Sequence, residues 1–522
     1  MIPVFAVNKM PGLEPGVFAL PLLVIFLVAG TFLLFFARFP SAVAPIETDT
    51  VPANANDDKS DSVWHYDRVV PAIIAVLFYM TALWRLSEPN KQVFDEVHHV
   101  RTAMEFVVGT DAHEWTHPHV SKLIQAASMN AAGVRFDPSD KTWSPDAEFT
   151  RRASLAWRLP SVVFGTLALL GQYALARAMF KNRRVATLAM ILLALDGVFF
   201  VQSRIAMTNI FTVCFIVWGA WAAWRWTEEQ KARHLFATDI FLGLAIGSRW
   251  SSLYAYVLII LFLLWDGVGR WQRTGWSLGF FGGRAALFIG FLVLAPLLVY
   301  ASSYIPFVLQ GSGSAEQKLL EWNHNGHGWG KVLTQQGDMY NYHSQLVADH
   351  HYDSPAWSWP LMLRPVWYYF NSVGSQGHET VRGIWCIGNA FVWWAILPTM
   401  AVAAWQAVRM RRTNLGFLAL MGLGQWFCWL AKARGLNFLH YLFEIIPFVC
   451  IGLAYFLITL WNGVGKEKYG TNKPFVAYYR IGVAAYAGLM VGWFIFYYPL
   501  LSAFPIPGWY SGWHFWLKLI WI

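Results

Sequence analysis

Charge is scarce in this sequence: Asp, Glu, Lys and Arg together make up 13% of its 522 residues. An ordinary soluble domain has about 25%. So little charge, with 57% hydrophobic residues and a mean hydropathy of +0.40, argues against a soluble globular chain. The sequence therefore predicts an all-α membrane protein that crosses the bilayer several times.

Cysteine is also scarce, and its positions exclude two further classes of protein. All four cysteines lie inside apolar runs, so we expect buried thiols and neither a disulfide framework nor a metal site; they are Cys214, Cys386, Cys428 and Cys450. The formal charge of +9 is not gathered into a basic stripe, which argues against a nucleic-acid partner. We predict no metal and no obligatory cofactor.

Long apolar runs are abundant. The first, at 17–36, has no small-residue cleavage site after it and is interpreted as a retained helix, followed by a polar, flexible linker. Residues 1–62 thus form an N-terminal extension, and 63–522 form the main transmembrane domain. Eleven core runs follow, near 69–86, 153–179, 185–201, 209–226, 236–249, 251–266, 285–304, 384–406, 415–431, 437–461 and 481–501.

The loops between these runs predict an orientation. Short basic loops such as "KNRR" at 181–184 and "RMRR" at 409–412 fall on one side when the runs alternate across the membrane. Such loops are usually cytoplasmic. Two long, net acidic segments, 87–152 and 305–383, are then left on the outer side.

The first outer segment opens with "FDEVHHVRTAMEF" at 94–106, a concentration of charge in a chain that otherwise avoids it. On a helix, Asp95 shares one face with His98, His99 and Thr102. Its carboxylate could face a cavity at the membrane surface and accept a proton from an alcohol. It could also cap the helix N-terminus, and the two roles can coexist.

Further cations follow in the same region. "THPHVSKLIQAASM" at 116–129 contains His117 and predicts an amphipathic helix from Lys122 onward. The histidines of this loop have no definite metal-ligand spacing. Arg158 lies inside the next apolar helix, where an arginine usually meets an anion or a cavity, although it could instead extend to the lipid headgroups.

Several segments, in this order, resemble the protein O-mannosyltransferase family. They are the acidic "DE" at 95–96, the "HP" and lysine of 117–122, "RLP" at 158–160, "ILLALDGVFFVQSRIAM" at 191–207, "GLAIGSRWSSLY" at 243–254, "MYNYHSQLVADHHYDSPAWSWPLMLRPVWYY" at 339–369, "GNAFVWW" at 388–394 and "ARGLNFLHYLFEIIPF" at 433–448. The resemblance covers about 65–522. It implies a GT-C type glycosyltransferase with about eleven core transmembrane helices and amphipathic helices in the first outer loop. The extra N-terminal helix at 17–36 lies outside the resemblance.

The resemblance also implies the reaction. Mannose passes from a polyprenyl-phosphate-mannose donor to Ser or Thr hydroxyls of exported proteins, with inversion, at the outer face of the cell membrane. In this reading Asp95 is the general base and Glu96 shapes the acceptor site or bonds nearby backbone. Cations should surround the leaving phosphate; the candidates are Arg158, Arg434 and Lys122. Other candidate substrate-binding residues are His117, His343 and Arg364.

Two departures from the family pattern limit which residue roles can be transferred from the family to this chain. His119 stands where the family often has a second proline after His117, and Thr208-Asn209 stand where it often has Leu-Asp. The second outer segment is too short for the β-trefoil insert of eukaryotic members, which points to a bacterial-type enzyme.

Alternatives remain open for single residues and for the whole protein. Arg434 could be an ordinary interfacial charge, and His343 a structural loop histidine. The acceptor could be a lipid or glycan, as in the aminoarabinose-lipid A transferases. A transporter would need ionisable residues at mid-bilayer and paired repeats, and the sequence shows no repeat. A secretion translocon is a possible partner.

Overall fold

The computed structural model describes residues 62–137, 147–274, 278–310, 313–322, 328–346, 348, 350–375, 378–431, 435–463 and 473–515. The predicted N-terminal helix at 17–36 and its linker lie outside this range. The helices are α1 (Ser62–Leu83), α2 (Glu96–Val108), α3 (Val120–Ala131), α4 (Ala147–Phe180), α5 (Arg183–Ala194), α6 (Gly197–Gln202), α7 (Asn209–Glu229), α8 (Ala232–Ser248), α9 (Ser252–Thr274), α10 (Leu278–Ile289), α11 (Ala295–Ser303), α12 (Ile305–Val308), α13 (Ala315–Leu320), α14 (Gly328–Gln345), α15 (Ala390–Trp393), α16 (Ile396–Arg409), α17 (Thr413–Ala431), α18 (Ile446–Asn462), α19 (Lys473–Leu501) and α20 (Gly508–Gly512).

The predicted helical membrane fold is confirmed. Among the described residues, eight helical segments are long and apolar enough to cross a bilayer. They are Tyr66–Leu83, Thr150–Phe180, Ser252–Arg270, Ala286–Ser303, Ala390–Arg409, Thr413–Ala431, Leu439–Asn462 and Ala477–Leu501. The remaining core runs form the helices α5 to α8, and the count of eleven spanning helices stays a prediction. A π-helical turn, Gly290–Leu294, joins α10 to α11.

Small residues let the helices approach closely, as is common where membrane helices pack. A Cβ atom added to Gly243 of α8 would lie 2.8 Å from Cβ of Val299 on α11. One added to Gly171 of α4 would lie 3.0 Å from the ring of Trp218 on α7. Larger side chains at these two positions would push the helices apart.

The predicted burial of the cysteine thiols is confirmed for three of the four residues. The thiols are free; Cys214, Cys386 and Cys450 are buried, and Cys428 is half-buried at the end of α17.

The two ends of the bundle carry different chemistry. At one end, Asp67 of α1 lies 3.4 Å from both Arg177 and Arg183, where α4 ends and α5 begins. The connection between α16 and α17 reaches the same end, since Asn414 donates to the carbonyl of Met179 at 3.5 Å. The basic loops at 181–184 and 409–412 therefore lie together, as the alternation of runs predicted.

At the other end lie the two long loop segments. The first folds into α2 and α3, which confirms the amphipathic helices predicted there. The second contains α12 to α14, a 3-10 helix (Ala356–Leu361) and two strands, β1 (Val366–Val373) and β2 (Thr380–Cys386).

A small antiparallel sheet, which the sequence reading did not predict, completes this end. Strands β1 and β2 pair along their length, and β3 (Ile506–Pro507) adds to β2. Trp367 and Trp385 stack on it with ring centres 4.9 Å apart. Tyr368 of β1 lies against Phe94, with ring centres 4.4 Å apart, and so supports the residue that precedes Asp95.

Candidate active site

Asp95 stands at the start of α2, in the wall of a cavity of about 400 Å³. The residue before it, Phe94, has a left-handed backbone conformation (φ 49°), which is unusual for a bulky side chain. Packing of the Phe94 ring against Tyr368 and His440 holds this turn, and the turn directs the chain into α2.

The capping alternative for Asp95 does not hold, because its side chain accepts no bond from the first turn of α2. The carboxyl is available to the cavity instead. Burial raises its pKa to about 6, while the nearby charges of His98 and Arg249 act in the opposite direction. A carboxylate of this pKa, facing a cavity, suits a general base near neutral pH.

Glu96, the neighbouring acid, points away from the cavity and is fully buried. Its two oxygens accept bonds from Nε and Nη2 of Arg158 at 2.9 and 2.8 Å, which is a bidentate ion pair. They also accept from the backbone N–H groups of Val93 (2.9 Å) and Ala206 (2.8 Å). Glu96 therefore fixes the start of α2 against α4, and this agrees with the backbone-bonding role given to it as one option.

Arg158, a predicted phosphate-binding residue, is engaged by partners within the protein. Its remaining donors go to the carbonyls of Leu86 (3.1 Å), Pro89 (3.0 Å) and Lys91 (2.8 Å). Arg158 is 1% exposed, and all five of its N–H donors are engaged by the protein. It therefore presents no donor to a lipid phosphate in this arrangement. It ties the 86–91 connection to the bundle and thereby positions Asp95.

Lys122, another predicted phosphate-binding residue, is engaged within the protein in the same way. Its ammonium group bonds the Glu114 carboxylate, the Glu114 carbonyl (3.0 Å) and the His117 carbonyl (2.7 Å). These contacts use its three donors. Burial acts to raise the pKa of Glu114, but the Lys122 ammonium, together with the nearby His117 and His99, holds that pKa well below its usual range.

Glu114 was missed by the sequence reading and lines the same cavity as Asp95. Thr116 also bonds its carboxylate, and Nδ1 of His99 lies 3.9 Å from Oε2. Its only signal in sequence was an acid eight residues before Lys122, which is a weak one.

Three imidazoles stack in a row, and two of them, His99 and His117, line the cavity. His117 stacks between His99 and His343, with ring centres 5.9 and 5.3 Å away. Nε2 of His343 lies 2.7 Å from the Thr116 carbonyl and links α14 to the first loop segment. Burial lowers the pKa of both His99 and His117, so these rings are neutral at pH 7. The structure thus brings His117 and His343 together, and their role in substrate binding stays a prediction.

Arg249 is the cation that the sequence reading missed. It ends α8, bonds the side-chain oxygen of Asn209, and lies over the ring of Tyr441, 4.6 Å from its centre. Its charge lowers the pKa of Asp95 and of the His99 and His117 rings, so it acts on the whole site.

Arg249 also lines a second cavity, of about 160 Å³, together with His117, Ser251 and His343. His117 belongs to the walls of both cavities. The signal for Arg249 was present in "GSRWSS", because an arginine between two apolar runs is costly unless it meets a cavity or an anion.

One other predicted residue, Arg364, lies elsewhere. Arg364 follows the 3-10 helix Ala356–Leu361 and is half-buried near Tyr352. Arg434 lies outside the described residues, so its predicted phosphate contact stays a prediction. Within the described ranges, no three His, Cys, Asp or Glu side chains group as metal ligands.

Comparison with known proteins gives the same family over most of the chain. The family model "Dolichyl-phosphate-mannose-protein mannosyltransferase" matches residues 72–308. A second family model, "C-terminal four TMM region of protein-O-mannosyltransferase", matches residues 328–514.

Curated relatives match the chain along most of its length. The polyprenol-phosphate-mannose–protein mannosyltransferase of Corynebacterium glutamicum is 25% identical over 500 residues, which cover 86% of this chain and 93% of the relative. The protein of the same name from Mycobacterium tuberculosis is 23% identical over 504 residues, with coverage of 84% and 89%.

Among solved structures, the S. cerevisiae protein O-mannosyltransferase Pmt1-Pmt2 complex bound to the sugar donor is similar, with a TM-score of 0.70 at 14% identity. The match covers 87% of this chain and 92% of that one, and it shows a shared fold.

Proposed function

Because this chain belongs to the protein O-mannosyltransferase family, we propose that it transfers mannose from a polyprenyl-phosphate-mannose donor to Ser and Thr hydroxyls of exported proteins. One observation carries the site assignment: the Asp95 carboxylate faces a cavity of about 400 Å³ while Arg249 lies close enough to influence its ionisation. A base for the hydroxyl and a cation for the leaving phosphate are the two groups that this transfer needs.

The first group acts on the acceptor. The hydroxyl oxygen attacks the anomeric carbon and passes its proton to Asp95, which contributes about 10²–10⁴-fold. The new carbon–oxygen bond forms as the bond to the phosphate oxygen breaks on the opposite face, so a β-mannose becomes an α-linked product. The Glu96–Arg158 pair holds Asp95 in place for this step.

The second group acts on the donor. The phosphate gains negative charge as it leaves, and a fixed guanidinium beside it stabilises the transition state more than the ground state. Arg249 suits this role because, among the described residues, its side chain donates to the neutral amide oxygen of Asn209 and not to a carboxylate. The smaller cavity beside it is also lined by Leu253, Tyr254 and Trp429, apolar and aromatic side chains that suit the first units of a polyprenyl chain.

The site lies at the end of the bundle opposite the basic loops. By the positive-inside rule those loops face the cytoplasm. We therefore place the chain in the cell membrane with its active site on the extracytoplasmic side, where the acceptors are proteins in export and the secretion translocon is the partner that would supply them.

The decisive experiment compares acceptor classes. The purified full-length protein would be incubated with polyprenyl-phosphate-mannose and a peptide containing Ser and Thr, a matched peptide with Ala and Val at those positions, or a lipid acceptor. Mannose should appear only on the Ser/Thr peptide, in α linkage. Transfer to the lipid alone would overturn the protein-directed reading.

A further inference from the structure

A third cavity, of a different kind, lies at the basic end of the bundle. It is a groove of about 570 Å³ between α9 and the connection of α16 to α17. Its apolar wall comes from both sides; it includes Leu261, Phe262, Trp265, Val408, Phe417 and Leu420. Such a volume is in the range of about 300–1,000 Å³ found for small-molecule sites.

Three side chains of this wall face the lipid. Val408 is 83% exposed, Trp265 58% and Leu261 51%, and all three belong to segments that are apolar enough to span the membrane. In a bilayer this exposure means contact with acyl chains, so the groove is accessible from the membrane.

Two arginines stand at the mouth of the groove. Arg411 and Arg412 both line it, and none of its described lining residues is acidic. Arg412 is half-buried and oriented by a bond to the Tyr455 hydroxyl, whereas Arg411 is exposed. The groove therefore combines an apolar channel with a cationic end at the membrane surface.

We propose that this groove is a binding site for an anionic phospholipid, with one acyl chain along Leu261, Trp265 and Phe417 and the headgroup phosphate at Arg411 and Arg412. Charge complementarity selects an anionic over a zwitterionic headgroup, since basic pockets between membrane helices bind anionic lipids in this way. The site is far from Asp95 along the bundle, so it would anchor and stabilise the α9–α16–α17 face and take no part in the chemistry.

The test uses native mass spectrometry of the full-length protein in detergent, titrated with palmitoyl-oleoyl phosphatidylglycerol or phosphatidylcholine. Phosphatidylglycerol should bind more tightly. Arg411→Gln should weaken it about fivefold, the factor that corresponds to roughly 1 kcal/mol for one basic group beside anionic lipid. Arg409→Gln, the same change at an exposed arginine outside the described lining, is the matched control and should bind as the parent does.

A second variant tests the acyl channel without changing charge. Val408→Trp enlarges a wall residue that is 83% exposed, so folding should tolerate it. It should reduce the bound fraction of phosphatidylglycerol. Equal binding of the two lipids, or equal losses in Arg411→Gln and Arg409→Gln, would overturn the proposal.

Discussion

Replacing Asp95 by Asn tests the central chemical step with a change that keeps the shape of the side chain. Asn cannot accept the hydroxyl proton at neutral pH, so transfer should fall about 10²–10⁴-fold, the usual contribution of a general base. Donor binding should persist, because Arg249 and the smaller cavity are untouched. In the parent protein, the rate should rise with pH through about 6, as the Asp95 carboxyl loses its proton.

Asp95→Asn should also change the stability of the protein, and this effect is measured independently of transfer. Burial raises the pKa of Asp95 from the ordinary 3.8 to about 6. The folded protein therefore holds this proton more tightly than the unfolded chain, and ionisation costs folding free energy as the pH rises from 3.8 to about 6. The full difference corresponds to roughly 3 kcal/mol. Since water reaches the half-buried carboxyl, screening reduces the expected cost to about 1–2 kcal/mol.

Asp95→Asn removes this cost. It should leave the free energy of unfolding unchanged below pH 4, and raise it by ~1–2 kcal/mol at pH 7, as measured by chemical denaturation in detergent. Asp111→Asn is the matched control, because it makes the same Asp-to-Asn change in the same loop segment at a side chain that is 74% exposed. Near-normal transfer by Asp95→Asn would refute the base assignment. A stability gain that is the same at pH 4 and pH 7 would refute the reasoning about its ionisation.

Three further predictions follow from the buried charges. Glu96→Gln leaves the Arg158 charge unpaired and should lower the free energy of unfolding by about 3–5 kcal/mol. Unchanged stability together with a raised KM for the donor would instead support a phosphate-binding role for Arg158. Arg249→Ala should reduce single-turnover transfer by about 10²–10³-fold, with partial recovery in Arg249→Lys; equal rates for all three proteins would contradict its role. Lys122→Met should destabilise the protein by isolating the Glu114 carboxylate, and adding Glu114→Gln should restore part of the loss; simply additive losses would argue against the pair.

The overall fold could be predicted from the sequence, because a long apolar run in a membrane can adopt few structures other than a helix. A run of about 20 apolar residues forms a helix, since every backbone polar group must be bonded within the segment. The small sheet was harder to predict. Its two longer strands span only 366–373 and 380–386, and the pairing of the second of them with 506–507 joins parts of the chain more than a hundred residues apart.

The site shows why a local signal identifies a residue more readily than it identifies the residue's role. Arg158 and Arg249 both carry the same signal, a guanidinium within or between apolar runs, which indicates an anion or a cavity. The difference lies in their partners: Arg158 meets the Glu96 carboxylate 62 positions away and three carbonyls, whereas Arg249 bonds an amide and lines a cavity. Those partners come from distant parts of the chain, and only the packed bundle brings them together. An arginine whose five donors are already used within the protein supports the site. An arginine that lines a cavity and has no carboxylate partner among the described residues is the better candidate for binding the substrate's charge.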